Sequence, residues 1–316
     1  MSLTKLFTEL GRNDTKIAGG KGASLGEMTQ AGISVPPGFV VLTSAFEQFL
    51  AETDLKQEID AILHTVKHEE MHTVEHASEK IQGLIKHAKM LEDIASVVMA
   101  GFDELDAKFV AVRSSATAED GASAAWAGQL DSFLNTTRET LLEKVQHCWA
   151  SLFTPRAIFY RFEKGLHGQA ISVAVVVQKM VESEVSGIAF SVHPVTEDYN
   201  QLIIEAGYGL GEAIVSGQVT PDSYVVEKEP RNILDINIST QTRALYRGDQ
   251  GGNEWREIAE PKASSQVLTR EQILELAELI LRIEKHYGFP CDIEWAFEGG
   301  KFYIVQSRPI TTLAQK

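Results

Sequence analysis

Residues 291–311 read CDIEWAFEGGKFYIVQSRPIT. Two runs rich in β-branched and aromatic residues flank Glu298-Gly299-Gly300-Lys301, which is the pattern of a β-hairpin. Polar residues are set into both runs: Asp292 and Glu294 in the first, Gln306 and Arg308 in the second. Side chains alternate faces along a strand, so each pair shares one face of its own strand. A loop of three residues, 299–301, puts Glu294 opposite Gln306 and Asp292 opposite Arg308, and all four groups converge. A two-residue Gly299-Gly300 loop slips the register by one and sends the pairs to opposite faces. Converged, a carboxylate, an amide oxygen and a guanidinium suit a magnesium-bound triphosphate, because hard cations take oxygen ligands and the arginine fork matches phosphate oxygens. The alternative is a surface hairpin with solvated polar positions.

The rest of the chain leads into this hairpin. Residues 269–287 form an amphipathic pattern with a Thr269/Gln272 capping box and Gly288 as its stop, a long helix. The β-branched run ISVAVVVQKM at 171–180 predicts a central strand ending at Gln178-Lys179-Met180, where an α/β sheet places ligand contacts. Strands are predicted at 187–192, 202–206 and 224–227, with the glycine-rich loop GYGLGEAIVSG at 207–217 between the last two. Residues 233–260 read as polar and irregular, with short strand-like pieces.

Toward the N-terminus, KIAGGKGASLGEM at 16–28 runs through Gly19-Gly20-Lys21-Gly22 into a helix. Glycines admit a ligand to the backbone, and a lysine at a helix start reaches an anion there; a glycine-rich helix entry with an exposed lysine is the other reading. Residues 32–50 supply a Pro-Pro-Gly turn, a strand at 39–42 and a helix capped by Thr43 or Ser44. Residues 54–105 are helical, with His64, His68, His72 and His76 spaced four apart. On one continuous helix these imidazoles would form a stripe able to hold a transition metal or sense acid pH, against the plainer reading of a solvated face. The strand predicted at 108–115 ends in Arg113, Ser114 and Ser115 and enters a loop of small residues. That arginine is either a phosphate contact or a partner of Glu119 or Asp120. Helices follow at 137–153 and 155–164.

Composition bounds the reading. The chain has 316 residues, enough for two domains, and 44% apolar with 23% charged residues is ordinary for a globular protein. A net charge of −15 argues against a general nucleic-acid or anionic-membrane binder. Any phosphate site is then a local basic pocket. Cys148 and Cys291 are far apart and have no ligand pair beside them, so reduced thiols in a cytoplasmic protein are expected. Neither a signal peptide nor a membrane-spanning run is evident.

The pieces taken in order resemble the N-terminal nucleotide-binding region of the phosphoenolpyruvate-utilising dikinases: phosphoenolpyruvate synthase, pyruvate phosphate dikinase and the rifampin phosphotransferases. They are GGKGASLGEM, PPGFVV, VRSSATAED with WAGQLDSFLN, VVVQKM, FSVHPVT, GYGLGEAIVSGQVTPD, and DIEW with YIVQSRP. The resemblance implies an α/β (α+β) fold of the ATP-grasp type, two lobes closing on a nucleotide. The expected lobes are 1–185, with a helical insert at about 54–105, and 186–316. It further implies that Lys21 and Arg113 contact ATP phosphates and that Gly128 and Ser132 lie in the loop over the nucleotide. Gln178, Lys179 and Met180 would form the hinge meeting adenine, Glu294 and Gln306 would hold Mg2+, and Arg308 would stabilise the transferred phosphoryl group.

Two departures stand out. Gly121-Ala122 replaces the usual Leu-Pro after Glu119-Asp120. None of the nine histidines sits in the family's phosphohistidine motif, so complete turnover is not expected within these 316 residues. The expectation is the nucleotide half of a dikinase-type phosphotransferase, working with a phosphohistidine-bearing domain or protein. A stand-alone ATP sensor is the alternative.

Overall fold

The computed structural model describes residues 2–117, 131–166, 172–249, 251–311 and 313. Contacts divide the chain into two units, Met1–Glu27 with Pro37–Met180, and Met28–Pro36 with Val181–Lys316. The fold class is mixed α and β, and all strand pairings within its sheets are antiparallel.

The first unit contains β1 (Thr4–Leu6), α1 (Thr15–Gln30, whose last three residues belong to the second unit), β2 (Gly38–Val41) and the helices α2 (Thr43–Glu52), α3 (Leu55–His64), α4 (Met71–His87) and α5 (Glu92–Glu104). β3 (Val110–Ala116), β4 (Ser132–Thr136), α6 (Leu141–Ser151), α7 (Pro155–Glu163) and β5 (Val173–Lys179) follow. The sheet order β1-β2-β5-β3-β4 makes β5 central, as its valine run predicts. Alternation gives the sheet two different faces. Val173, Val175 and Val177 join Phe39, Val41, Val110 and Val112 in a core closed by α2 to α7, around the buried Trp149. The other face carries α1: the Ser115 hydroxyl donates to the Ala18 carbonyl at 2.9 Å and accepts from the Gly22 amide at 3.2 Å.

Two local expectations change here. The four histidines do not share one helix, because α3 stops at His64 and α4 begins at Met71. His68 stacks on Phe162 and His72 lies 3.6 Å from Glu70, so the stripe is broken. Helix α2 is not capped by Thr43 or Ser44. Leu42 occupies the cap position, and the two hydroxyls donate to the carbonyls of Lys16 and Ser2.

The second unit runs through β6 (Val185–Phe190), β7 (Gln201–Tyr208), α8 (Glu212–Val215), β8 (Asp222–Glu227), β9 (Asn232–Asn237), β10 (Arg243–Arg247), β11 (Asn253–Glu257), α9 (Arg270–Tyr287), β12 (Cys291–Glu298) and β13 (Lys301–Pro309). Its sheet has the order β13-β12-β6-β7-β8-β9, with β10-β11 as a separate ribbon. Helix α9 has the expected reciprocal Thr269/Gln272 cap and ends at Gly288 in the left-handed conformation. It buries Ile273, Leu276, Ala277, Ile280 and Ile283. The cross-strand row Ile293, Ala189, Ile204 and Tyr224, fully buried, lies on the sheet face it covers.

The segment that looks irregular in the sequence is fixed by long-range bonds. Buried Asp222 accepts from the Tyr224 hydroxyl, the Gln241 amide and the backbone amides of Ser239 and Val267. The glycine-rich loop is shorter than expected, because Gly207 and Tyr208 end β7. Gly209 has φ +74°, and a β-carbon there would strike the Leu245 carbonyl of β10, so this glycine admits the ribbon.

Candidate functional site

The hairpin turn has two residues. Gly299 and Gly300 both take positive φ, 57° and 80°, and Glu298 pairs with Lys301. From there Phe297 faces Phe302 and Trp295 faces Ile304, the register that would send the polar pairs apart. A β-bulge corrects it. Val305 is the extra residue, so Glu294 faces Gln306 and Asp292 faces Arg308. The expected convergence is therefore reached by a two-residue turn with a bulge, and the three-residue loop is overturned.

These four residues lie on the sheet face opposite α9, since Ile293 between them points into the core. The Arg308 guanidinium reaches Asp292 Oδ2 with Nε and with Nη2, each at 2.8 Å. Burial pushes the Asp292 carboxyl above the usual range, and Glu294's charge adds to the rise; the charge and hydrogen bond of Arg308 oppose it. Gln306 is 6% exposed, yet its side chain makes no hydrogen bond among the described residues. With no protein partner and polar atoms that solvent still reaches, that amide is available to a ligand.

Sequence reasoning missed Glu205. It is the lone charged residue in the apolar strand β7, and that isolation was the available signal. Register places it in one row with the hairpin: Gln306, Glu294, Ile188, Glu205, Ser223. Burial, and then the Asp292 charge, push its carboxyl upward.

In the first unit, Arg113 on β3 pairs directly with Ser132 on β4 and Val176 on β5. Gln178, 2% exposed, pairs with Ala111, two residues before Arg113, and shares its face. This is the face that carries α1. Lys21 follows a kink in α1 at Gly19, where φ is +67° and a β-carbon would strike the Ser115 carbonyl and hydroxyl. Lys21, Arg113, Ser132 and Gln178 are thus gathered on one side of one sheet. Lys179 is not: its side chain points to the opposite face and donates to the Asp106 carbonyl at 3.2 Å. The amides of Lys179 and Met180 are engaged by the carbonyls of Pro37 and Phe109. Gly128, Glu119 and Asp120 lie outside the described residues.

The donor set suits one kind of metal. Among the described residues no three His, Cys, Asp or Glu side chains converge as a cage. A carboxylate opposite a largely buried amide that has no protein partner among the described residues fits magnesium, which takes few protein oxygens and completes its shell with phosphates and water.

Chemistry and fold together define an α+β protein whose units each keep a polar cluster on the sheet face not given to the main helical core. Residues 15–316 match the family described as pyruvate phosphate dikinase, AMP/ATP-binding domain, and the chain belongs to that family. It is 46% identical over 320 residues to the probable phosphoenolpyruvate synthase of Methanocaldococcus jannaschii, which covers 99% of this chain and 27% of the relative. It is 40% identical to the phosphoenolpyruvate synthase of Pyrococcus furiosus, over 99% of this chain and 44% of that protein. The rifampicin phosphotransferase of Bacillus subtilis is also 40% identical, over 99% of this chain and 36% of its own length. The chain thus spans less than half the length of each of these relatives. No described helix is long and apolar enough to cross a membrane.

Proposed function

We propose that this chain binds Mg-ATP and serves as the nucleotide half of a dikinase-type phosphotransferase in the cytoplasm. The observation that carries the reading is the bulge-corrected hairpin, which aligns Glu294 with Gln306 and Asp292 with Arg308 on a face free of the α9 core. Phosphoryl transfer asks little covalent chemistry of the protein; it asks for positioning and for charge to meet the equatorial oxygens. Lys21 and Arg113 are the phosphate cations of the first unit, with Gly128 and Ser132 beside the nucleotide. Gln178 and the carbonyls of the 178–180 hinge meet the adenine, since the hinge amides of Lys179 and Met180 are already engaged. Glu294 and Gln306 hold the magnesium, which when bound neutralises phosphate charge. Arg308 leaves Asp292 for the transferred phosphoryl group.

In this scheme the β-phosphoryl passes to a histidine nitrogen on another domain or protein. Both phosphoanhydride bonds break, one water is taken up, and AMP and phosphate leave. The final acceptor is pyruvate or another small molecule, as the names of the relatives suggest.

Calorimetric titration of ATP with and without magnesium tests the binding step. Tight, magnesium-dependent binding that is lost in Glu294→Ala and Arg308→Ala is expected, and no binding by the unaltered chain overturns the proposal. Adding a histidine-bearing domain from a relative should then yield AMP. Binding without AMP would leave a nucleotide sensor in place of a transferase.

A further inference from the structure

Glu205, like Glu227 at the end of β8, differs from the other partly or fully buried carboxylates of the second unit that have side-chain partners. Asp222 accepts four hydrogen bonds, Glu284 is held by Lys228 and Ser191, Asp292 by Arg308, and Glu298 by the Glu182 amide. The Glu205 side chain has no hydrogen-bond or ion-pair partner among the described residues. Its environment instead includes a like charge, that of Asp292, which acts on its carboxyl. A carboxylate held half-buried beside another negative group is unfavourable in the free protein.

A second, independent observation points to what belongs there. In the same cross-strand row, Gln306 is more than nine-tenths buried, carries no side-chain hydrogen bond among the described residues, and faces the Glu294 carboxylate directly. Glu205 lies two strands from Glu294, with Ile188 between them. At about 4.8 Å per strand the two backbones are roughly 9.6 Å apart. The described carboxylates do not converge on one point as a direct cage. Magnesium keeps several of its waters, and a carboxylate one step farther out accepts hydrogen bonds from those waters.

We infer that Glu205 is a positioning residue of this face, holding through water a divalent cation that Glu294 and Gln306 ligate directly. The inference rests on the proposed magnesium-nucleotide role of the hairpin. Glu205 draws the hydrated cation over the middle of the sheet, and the cation in turn removes the repulsion between Glu205 and Asp292.

The test is the magnesium concentration needed for half-maximal ATP binding at fixed ATP, measured by calorimetry on the whole chain. Glu205→Gln should raise it about tenfold or more, the usual effect of losing an outer-shell partner. ATP affinity at saturating magnesium should change less than about threefold, and the unfolding temperature should not fall. Glu205→Asp, which keeps the charge on a shorter arm, should lie between. A magnesium requirement within about twofold of the unaltered chain in both variants overturns the inference. Glu294→Gln separates the two claims. If it abolishes magnesium dependence while Glu205→Gln changes nothing, only the role of Glu205 falls; if it changes nothing, the hairpin reading falls with it.

Discussion

Replacing Gln306 with leucine should make the protein more stable and remove its function. The Gln306 side chain is 6% exposed and makes no hydrogen bond among the described residues. A fully buried polar group without a partner costs about 1–3 kcal/mol; the Gln306 amide still meets some solvent, so leucine of similar volume recovers at most the lower part of that range. Some of the gain is offset because an apolar neighbour desolvates Glu294 further, so the lower figure applies, about 1 kcal/mol. For a unit of this size that raises the unfolding midpoint by roughly 3 °C. Scanning calorimetry without nucleotide reads the gain. Tryptophan fluorescence during denaturant unfolding gives a second reading, with the buried Trp295 of the same hairpin one of four reporters. Magnesium-dependent ATP binding should fall at least about tenfold, since the amide oxygen is one of two proposed protein ligands. A loss of more than about 1 kcal/mol in the free protein would refute the reasoning, because the amide would then be satisfied in the fold and not reserved for a ligand.

Two single-residue deletions in β13 should have opposite outcomes. Removing Val305 flattens the bulge but keeps Gln306 opposite Glu294, so Mg-ATP binding survives; removing Ser307 brings Arg308 opposite Ile293 on the α9 face, and both binding and several kcal/mol of stability are lost. In EDTA, Glu205→Gln should be more stable than the unaltered chain at neutral pH. The raised folded-state value of Glu205 means its ionised form costs stability at neutral pH; that cost disappears as pH falls below the ordinary 4.5, so the two denaturation curves should converge by about pH 4. Burial pushes the thiols of Cys148 and Cys291 up to about 12, so neither should react with iodoacetamide at about pH 8 in the native protein, and both should react once it is unfolded, as mass spectrometry would show.

What the sequence revealed is mostly what lies close along the chain. The Thr269/Gln272 cap, the Gly288 stop and the β-branched run of β5 are local signals, and each forms where expected. The polar pairs of the hairpin follow from alternation, but the route to them does not. A bulge at Val305 has no compositional mark, because a bulge is decided by what both strands pack against. The break between His64 and Met71 carries no glycine or proline, and it closes with Val66 buried in the core of the first unit. Lys179 adjoins Gln178, but adjacent residues in a strand face opposite ways, so its side chain leaves that face and the Asp106 carbonyl takes its amine. Glu205 shows in the sequence only as a lone charge in an apolar strand, which says nothing of its neighbours. Its nearness to Asp292 depends on the strand order β12-β6-β7, which brings together positions nearly ninety residues apart.

The two faces of the second sheet carry separate tasks. Ile293, Ala189, Ile204 and Tyr224 are fully buried on the α9 face and supply cohesion. One residue out of step in each strand, the opposite row holds Gln306, Glu294 and Glu205, with Asp292 and Arg308 beside it. Three carboxylates against one arginine is an arrangement the fold bears at a cost, and charge of that sign also repels a free triphosphate. On the proposed function, a cation would accompany the nucleotide onto this face. If the proposal holds, the register that aligns Glu294 with Gln306 ties magnesium dependence to the sheet as a whole, and substitutions on the polar row should alter that dependence while leaving the α9 core intact.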